Sequence, residues 1–279
     1  MKIFRSSPFS LLCFLFCISF GPATVAEETS GWDVSVGLGA GVRTNPVMDN
    51  SNIPIFIVPQ IHYHAKRFFI QNLDVGYTVY NSESQQLHVL VTPSYDQIFF
   101  NDWEATNFVV DQAFASSKND IPTVEAENRS INKGNLRSRR MAALAGFEYN
   151  LELDSISIQL QGFHDVTDYY GGDEIRFAVT ENIRSGKHTV KLTAGANWQS
   201  DKTLNYFYGV TLREVPDNTY SPSSGVTTLL RFDWDYQLSE QWSLRLLTSY
   251  RHLSDQISRS PLITDDNIVT VFAGGVYHF

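Results

Sequence analysis

The run WDVSVGLGAGV, Trp32 to Val42, puts an apolar or small residue at every even position: Trp32, Val34, Val36, Leu38, Ala40 and Val42. Asp33, Ser35 and three glycines fill the odd positions. A period of two marks an extended strand with one greasy face and one polar or small face. The run is also long. Strands of soluble proteins average about 5–6 residues, whereas a tilted strand that crosses a bilayer needs about 9–11.

The same alternation returns along the chain. Leu73, Val75, Tyr77 and Val79 alternate with polar or small residues, as do Met141 to Leu151, Val190 to Trp198 and Leu230 to Leu238. Helical spacing of apolar residues persists nowhere to the same extent. Aromatics gather near the strand ends (Trp32, Tyr63, Tyr80, Tyr95, Trp198, Trp242, Tyr250, Tyr277), as in the interfacial girdles of membrane barrels. A soluble β-sandwich would alternate too, but with shorter strands and a second sheet over each greasy face. The pattern predicts an all-β fold: a closed antiparallel transmembrane β-barrel, the only β architecture without an open edge in lipid.

Connection lengths are consistent with this. Short connectors are expected at 65–67, 101–103, 152–154, 184–187 and 239–241, and longer ones at 43–52, 81–86, 116–137, 165–172, 200–225 and 254–266. Long and short alternate, as extracellular loops and periplasmic turns do. The scheme needs a strand at 104–115, where the pattern (Phe108, Val110, Phe114) is weak, and it then gives twelve strands with both termini in the periplasm.

The stretch VFAGGVYHF is expected to be the barrel-closing strand, with Val271, Ala273, Gly275, Tyr277 and Phe279 facing lipid and pairing near Trp32. A terminal aromatic such as Phe279 resembles the signal read by barrel-assembly machinery.

The N-terminus predicts export. Lys2 and Arg5 precede an apolar run, Phe9 to Phe20, and Thr24 and Ala26 stand at the minus-three and minus-one positions of a cleavage site. Residues 1–26 are read as a signal peptide and 27–279 as the barrel, located in the outer membrane of a Gram-negative cell. Cys13 and Cys17 both lie in the signal, so the mature chain carries no disulfide and no Cys-ligated metal. Without Lys2 and Arg5, the 21 Lys and Arg become 19 against 30 Asp and Glu, net −11. An acidic chain without a basic patch is a poor partner for nucleic acid, and no motif calls for a cofactor.

Four stretches resemble the MipA/OmpV family of outer-membrane proteins, which includes an interaction partner of a lytic transglycosylase. They are IPIFIVPQIHYHAKRFFIQNLDVGYTVYNS from Ile53, NYFYGVTLREV from Asn205, QWSLRLLTSYRHLSDQISRSPLI from Gln241, and the Gly-x-x-Tyr-x-Phe ending at Gly274 to Phe279. Residues 99–138 carry no such likeness. The resemblance implies a non-enzymatic barrel that scaffolds murein hydrolases or synthases, and it implies no catalytic residues.

Several side chains invite a functional reading. His252 and Ser254 share a strand face, as in a lipid hydrolase of the outer leaflet, but no third catalytic group is identifiable. His62 and His64 share a face too, but a metal needs three or four ligands and no others can be named, so they read as lumen residues. Arg137, Arg139 and Arg140 fall at the extracellular start of a strand. They suit either the phosphates of lipopolysaccharide or ion pairing with Glu125 and Glu127. Inward charges are mixed in sign. If Leu238 pairs with Trp242, Asp235 faces Arg245 as a lumen ion pair. Twelve strands enclose a narrow lumen, so a channel for small solutes or ions is the alternative to a scaffold.

Overall fold

The structure, a computed structural model, describes residues 30–48, 50–96, 139–214 and 219–279. Twelve antiparallel strands form a closed barrel: β1 (Gly31–Arg43), β2 (Ile53–His64), β3 (Phe68–Gln71), β4 (Asp74–Asn81), β5 (Gln85–Pro93), β6 (Ala143–Leu153), β7 (Ile156–Asp165), β8 (Asp173–Ser185), β9 (His188–Gln199), β10 (Gly225–Gln237), β11 (Trp242–His252) and β12 (Asn267–His278). Each strand pairs with its sequence neighbours, and β12 returns to β1. Residues 1–26, expected to be a signal peptide, lie outside the described residues.

The alternation sorts side chains by face. Leu38, Phe56, Val75, Val89, Phe147, Phe177, Leu192, Leu230 and Val271 all point outward and stay exposed, Leu230 at 61%. An apolar belt this continuous has no place on a water-soluble surface and fits a hydrocarbon layer. All the short turns except the one at Asn72 and Leu73, together with both ends of the barrel wall, lie at one end, which sets that end in the periplasm and the longer connections outside.

Closure is tight at the seam between β1 and β12. Val42 pairs with Val271 and Val36 with Tyr277, and the Phe279 N–H donates to the Val34 carbonyl at 3.0 Å. Gly39 and Gly274 face each other. A Cβ on Gly39 would lie 2.2 Å from the Ala273 carbonyl oxygen, and one on Gly274 would lie 2.5 Å from that of Leu38. Only glycine permits that approach.

The twelve strands arise differently from the sequence reading. Residues 68–81, read as one strand, form the hairpin β3–β4 around Asn72 and Leu73, with Ile70 opposite Val75 and Gln71 opposite Asp74. Asn72 adopts a φ of 55°, a left-handed conformation that Asn tolerates. Its N–H donates to the Ile61 carbonyl at 2.7 Å and its side-chain oxygen accepts from the Ile61 N–H at 3.0 Å, pinning the turn to β2. The connection at 81–86 is therefore a short periplasmic turn and not a long loop. The weak strand expected at 104–115, with its turn at 101–103, lies outside the described residues. β5 bonds directly to β6, so no strand stands between them.

Among the described residues, two helices rise from the extracellular connections: α1 (Asp201–Tyr208) after β9 and α2 (Asp255–Ser258) after β11. Ser200 caps α1, its hydroxyl accepting from the Thr203 N–H. Leu204, Phe207 and Tyr208 form the buried face of α1 and pack on Val47, Leu253, Ile257 and Ile268. The result is a small apolar core seated over the extracellular mouth.

Candidate functional site: a lumen closed outside and open to the periplasm

The lumen divides along its axis. At the extracellular end the lid core is dry, with Leu204, Phe207 and Leu262 at 0% exposure. Beneath it, two apolar clusters fill the upper barrel, Ile55, Val58, Leu247 and Phe272 on one side and Phe69, Leu90, Leu144 and Phe163 on the other. A charged layer threads between them. Glu174 and Arg176 are paired at 2.9 Å, and the Arg176 guanidinium lies 4.8 Å from the Phe163 ring centroid. Gln199 donates to both Asp96 and Glu174. Burial, together with the nearby Glu174 carboxylate, pushes the Asp96 carboxyl above the usual carboxylate range.

The periplasmic half holds space instead of packing. Two cavities, about 520 and 580 Å³, share Gln71, Glu152, Ser157, Gln159, Thr180 and Lys191 in their walls. They reach the rim at His64, Ala65, Lys66, Asp154 and Ser155. Amides and hydroxyls dominate the lining. On one wall the charges neutralise each other: Arg231 with Asp233, and Arg245 with Asp235, each at 2.7 Å.

The sequence-derived residues distribute as follows. Asp235 and Arg245 are Cα partners across β10 and β11, joined by Arg245 Nε to Asp235 Oδ1. Val271, Tyr277 and Phe279 face outward on the closing strand, where the Tyr277 ring packs between Trp242 (5.1 Å) and Phe279 (4.9 Å). Arg137 lies outside the described residues. Arg139 is not available to lipopolysaccharide. Its guanidinium is buried under the lid, 3.5 Å from Glu214, with both side chains at most 2% exposed, and it donates to the carbonyls of Phe207 and Gly209. It fastens α1 to the barrel by holding the helix's C-terminal carbonyls. Arg140 stays exposed, with its backbone N–H on the Tyr206 hydroxyl and its guanidinium 5.8 Å from the Tyr169 ring centroid.

His252 and Ser254 do not meet as a catalytic pair. The imidazole is 2.9 Å from the Asn267 side-chain oxygen, while the Ser254 hydroxyl is buried without a hydrogen-bond partner among the described residues. His62 and His64 have ring centroids 6.5 Å apart, and each lines one of the two cavities.

These features define a class: an outer-membrane β-barrel with a packed extracellular lid and a polar lumen facing the periplasm. The sequence profile described as "MltA-interacting protein MipA" matches residues 36–279, and the chain belongs to that family. Its relatives include "MltA-interacting protein" of Escherichia coli (strain K12), 23% identical over 88% of this chain and 90% of the relative. "Putative outer membrane protein YiaT" of the same organism is 20% identical over 95% of this chain and 96% of the relative. "Outer membrane protein OmpV" of Vibrio cholerae is 22% identical over 50% and 56%. Among solved structures, the NanC porin covers 89% of this chain and 100% of its own at a TM-score of 0.41 and 8% identity. The protein is a cell-envelope protein of the outer membrane.

Proposed function

We propose that this barrel is a non-enzymatic docking protein that holds a murein-remodelling enzyme, a hydrolase or a synthase, at the inner face of the outer membrane. The observation that carries the reading is the asymmetry of the lumen. The extracellular end is sealed by the α1–α2 core, and the polar cavities reach only the periplasmic rim among the described residues. A partner in the periplasm meets a rim of short turns around an open mouth, whereas a solute from outside meets packed side chains. The family description and the first relative's name both carry the words "MltA-interacting". The periplasmic turns are short, so docking uses the rim as a whole, with Lys66, Arg67, Glu83, Asp154, Lys187 and Glu240 as its charged positions.

Cross-linking from the periplasmic side followed by capture of the folded barrel tests the proposal. Recovery of a murein hydrolase or synthase supports it, and charge reversal at Lys66 and Arg67 should reduce that recovery. A capture that returns neither enzyme class rejects it.

A further inference from the structure

We infer that the periplasmic cavities bind a short zwitterionic peptide, with its carboxylate on Lys191 and its ammonium on Glu152. The inference rests on the periplasm-facing reading of the lumen. Lys191 and Glu152 line both cavities, yet neither side chain makes a hydrogen bond or ion pair among the described residues. On the adjoining wall of β10 and β11 the charges are matched among themselves: Asp233, the ladder partner of Lys191, is held by Arg231, and Asp235 by Arg245. A polar cavity that sets the Lys191 cation and the Glu152 anion apart is complementary to a ligand carrying both charges at a distance from each other.

The surrounding wall agrees with a peptide. Lys191 stands directly across from Asn182, and the next lumen-facing pair toward the lid, Thr180 and Thr193, has its hydroxyls 2.9 Å apart. The Asn182 side-chain oxygen has no donor among the described residues. One pair further up, Ala178 faces Gly195, and this short-chained patch leaves room for a ligand backbone. Gln71, Gln159 and Ser157 add donors and acceptors suited to amide groups. Each cavity falls within the roughly 300–1,000 Å³ of small-molecule sites. Nearer the rim, Lys66 and Asp154 add unpaired charge of each sign and favour the same class of ligand at the entrance.

A ligand of this kind is a product of peptide-crosslink or glycan-peptide hydrolysis in the wall, so the site would sense or retain what the docked enzyme releases. The probes are trialanine, its C-terminal amide and its N-acetyl form, titrated calorimetrically into the detergent-folded barrel. Wild type should bind trialanine saturably and each blocked form about tenfold or more weakly, the loss expected when one charge-assisted contact is removed. Lys191→Met should weaken trialanine by about the same factor while leaving the C-terminal amide unchanged. Glu152→Gln should do the converse, leaving the N-acetyl form unchanged. Lys202→Met, on the exposed face of α1 outside the cavities, should have no effect.

Absence of saturable binding in the folded wild type overturns the inference. So does equal binding of all three peptides, or a pair of variants that bind like wild type. Enzyme capture is scored separately: capture without peptide binding removes the ligand site alone, and peptide binding without capture removes the docking role alone.

Discussion

Asp235 and Arg245 stand directly opposite each other inside the barrel, on β10 and β11, with Arg245 Nε 2.7 Å from Asp235 Oδ1. The same ladder sets Trp234 against Leu246 and Phe232 against Thr248 on the lipid side. One pair thus fixes both faces of the hairpin, because slipping the register by one residue exchanges them.

The energetic weight of the pair is small. Asp235→Ala should lower unfolding stability in lipid vesicles by about 0.2–1 kcal/mol, the range for cross-strand ion pairs. Leu246→Arg, next to Arg245 but facing lipid, should cost about 2–4 kcal/mol at mid-depth. Urea titrations of the two variants check this, and equal losses would contradict the assignment of faces.

The closing strand should govern assembly. Phe279 is 81% exposed with its ring against Tyr277, yet its N–H anchors the end of β12 to Val34. Deleting it should slow membrane assembly and raise the unfolded fraction on unboiled gels. Removing residues 219–222, near the extracellular loop's return to β10, should leave that fraction almost unchanged. Equal effects would deny Phe279 its part in closure.

The lid should keep the barrel electrically silent. Phe207 is wholly buried, and Phe207→Ala should cost about 3–5 kcal/mol of lid packing. The wild-type barrel should give no steady conductance in a planar bilayer. The variant should remain heat-modifiable while hydrogen exchange rises in α1 and α2. Steady conductance by the folded wild type would revive the channel as a function.

Acid should tighten the layer beneath the lid. Asp96 has a carboxyl pKa raised by burial and by Glu174, so the folded state holds its proton more firmly than the unfolded chain does. The sign follows from linkage: the cost of burying the charge is absent when the group is protonated and grows as pH rises through the raised pKa. Protection of the lid amides should therefore fall as pH climbs from the ordinary carboxylate range toward neutrality. Asp96→Asn should flatten that profile, and a profile unaltered by the substitution would contradict the account.

Much of the wall was legible because two faces meet two solvents. From Leu230 to Leu238 each residue declares its side, and a short turn then sets the pairing with β11. The β3–β4 hairpin was legible in principle. Outward residues switch from even numbers, Phe68 and Ile70, to odd ones, Val75, Tyr77 and Val79, and a change of phase with Asn72 between marks a two-residue turn. The lid was harder to read. Helix α1 has a Ser200 cap and an apolar spacing at Leu204, Phe207 and Tyr208, but eight residues give too little periodicity to stand out from a long connection. Arg139 and Glu214 had no local signal at all, since only the folded lid brings them together. Lys191 read as an ordinary inward charge and Glu152 as part of the 152–154 turn, because the lack of a partner is a property of three-dimensional neighbours.

The glycines of β1 have one more consequence. Gly37, Gly39 and Gly41 face Val276, Gly274 and Phe272, so from 37 to 41 the inner side of the first strand is a smooth rail with no knob to catch β12 at a given step. A two-residue slide would set Phe272 opposite Gly39 in place of Gly41, one glycine exchanged for another. The stops lie beyond the glycines: at one end Arg43 Nε donates to Thr270 Oγ1 at 2.8 Å, and at the other Tyr277 lodges between Trp242 and Phe279 and the last N–H finds Val34. The first and last strands can thus meet loosely, travel along each other and come to rest when the terminal aromatics reach their berth.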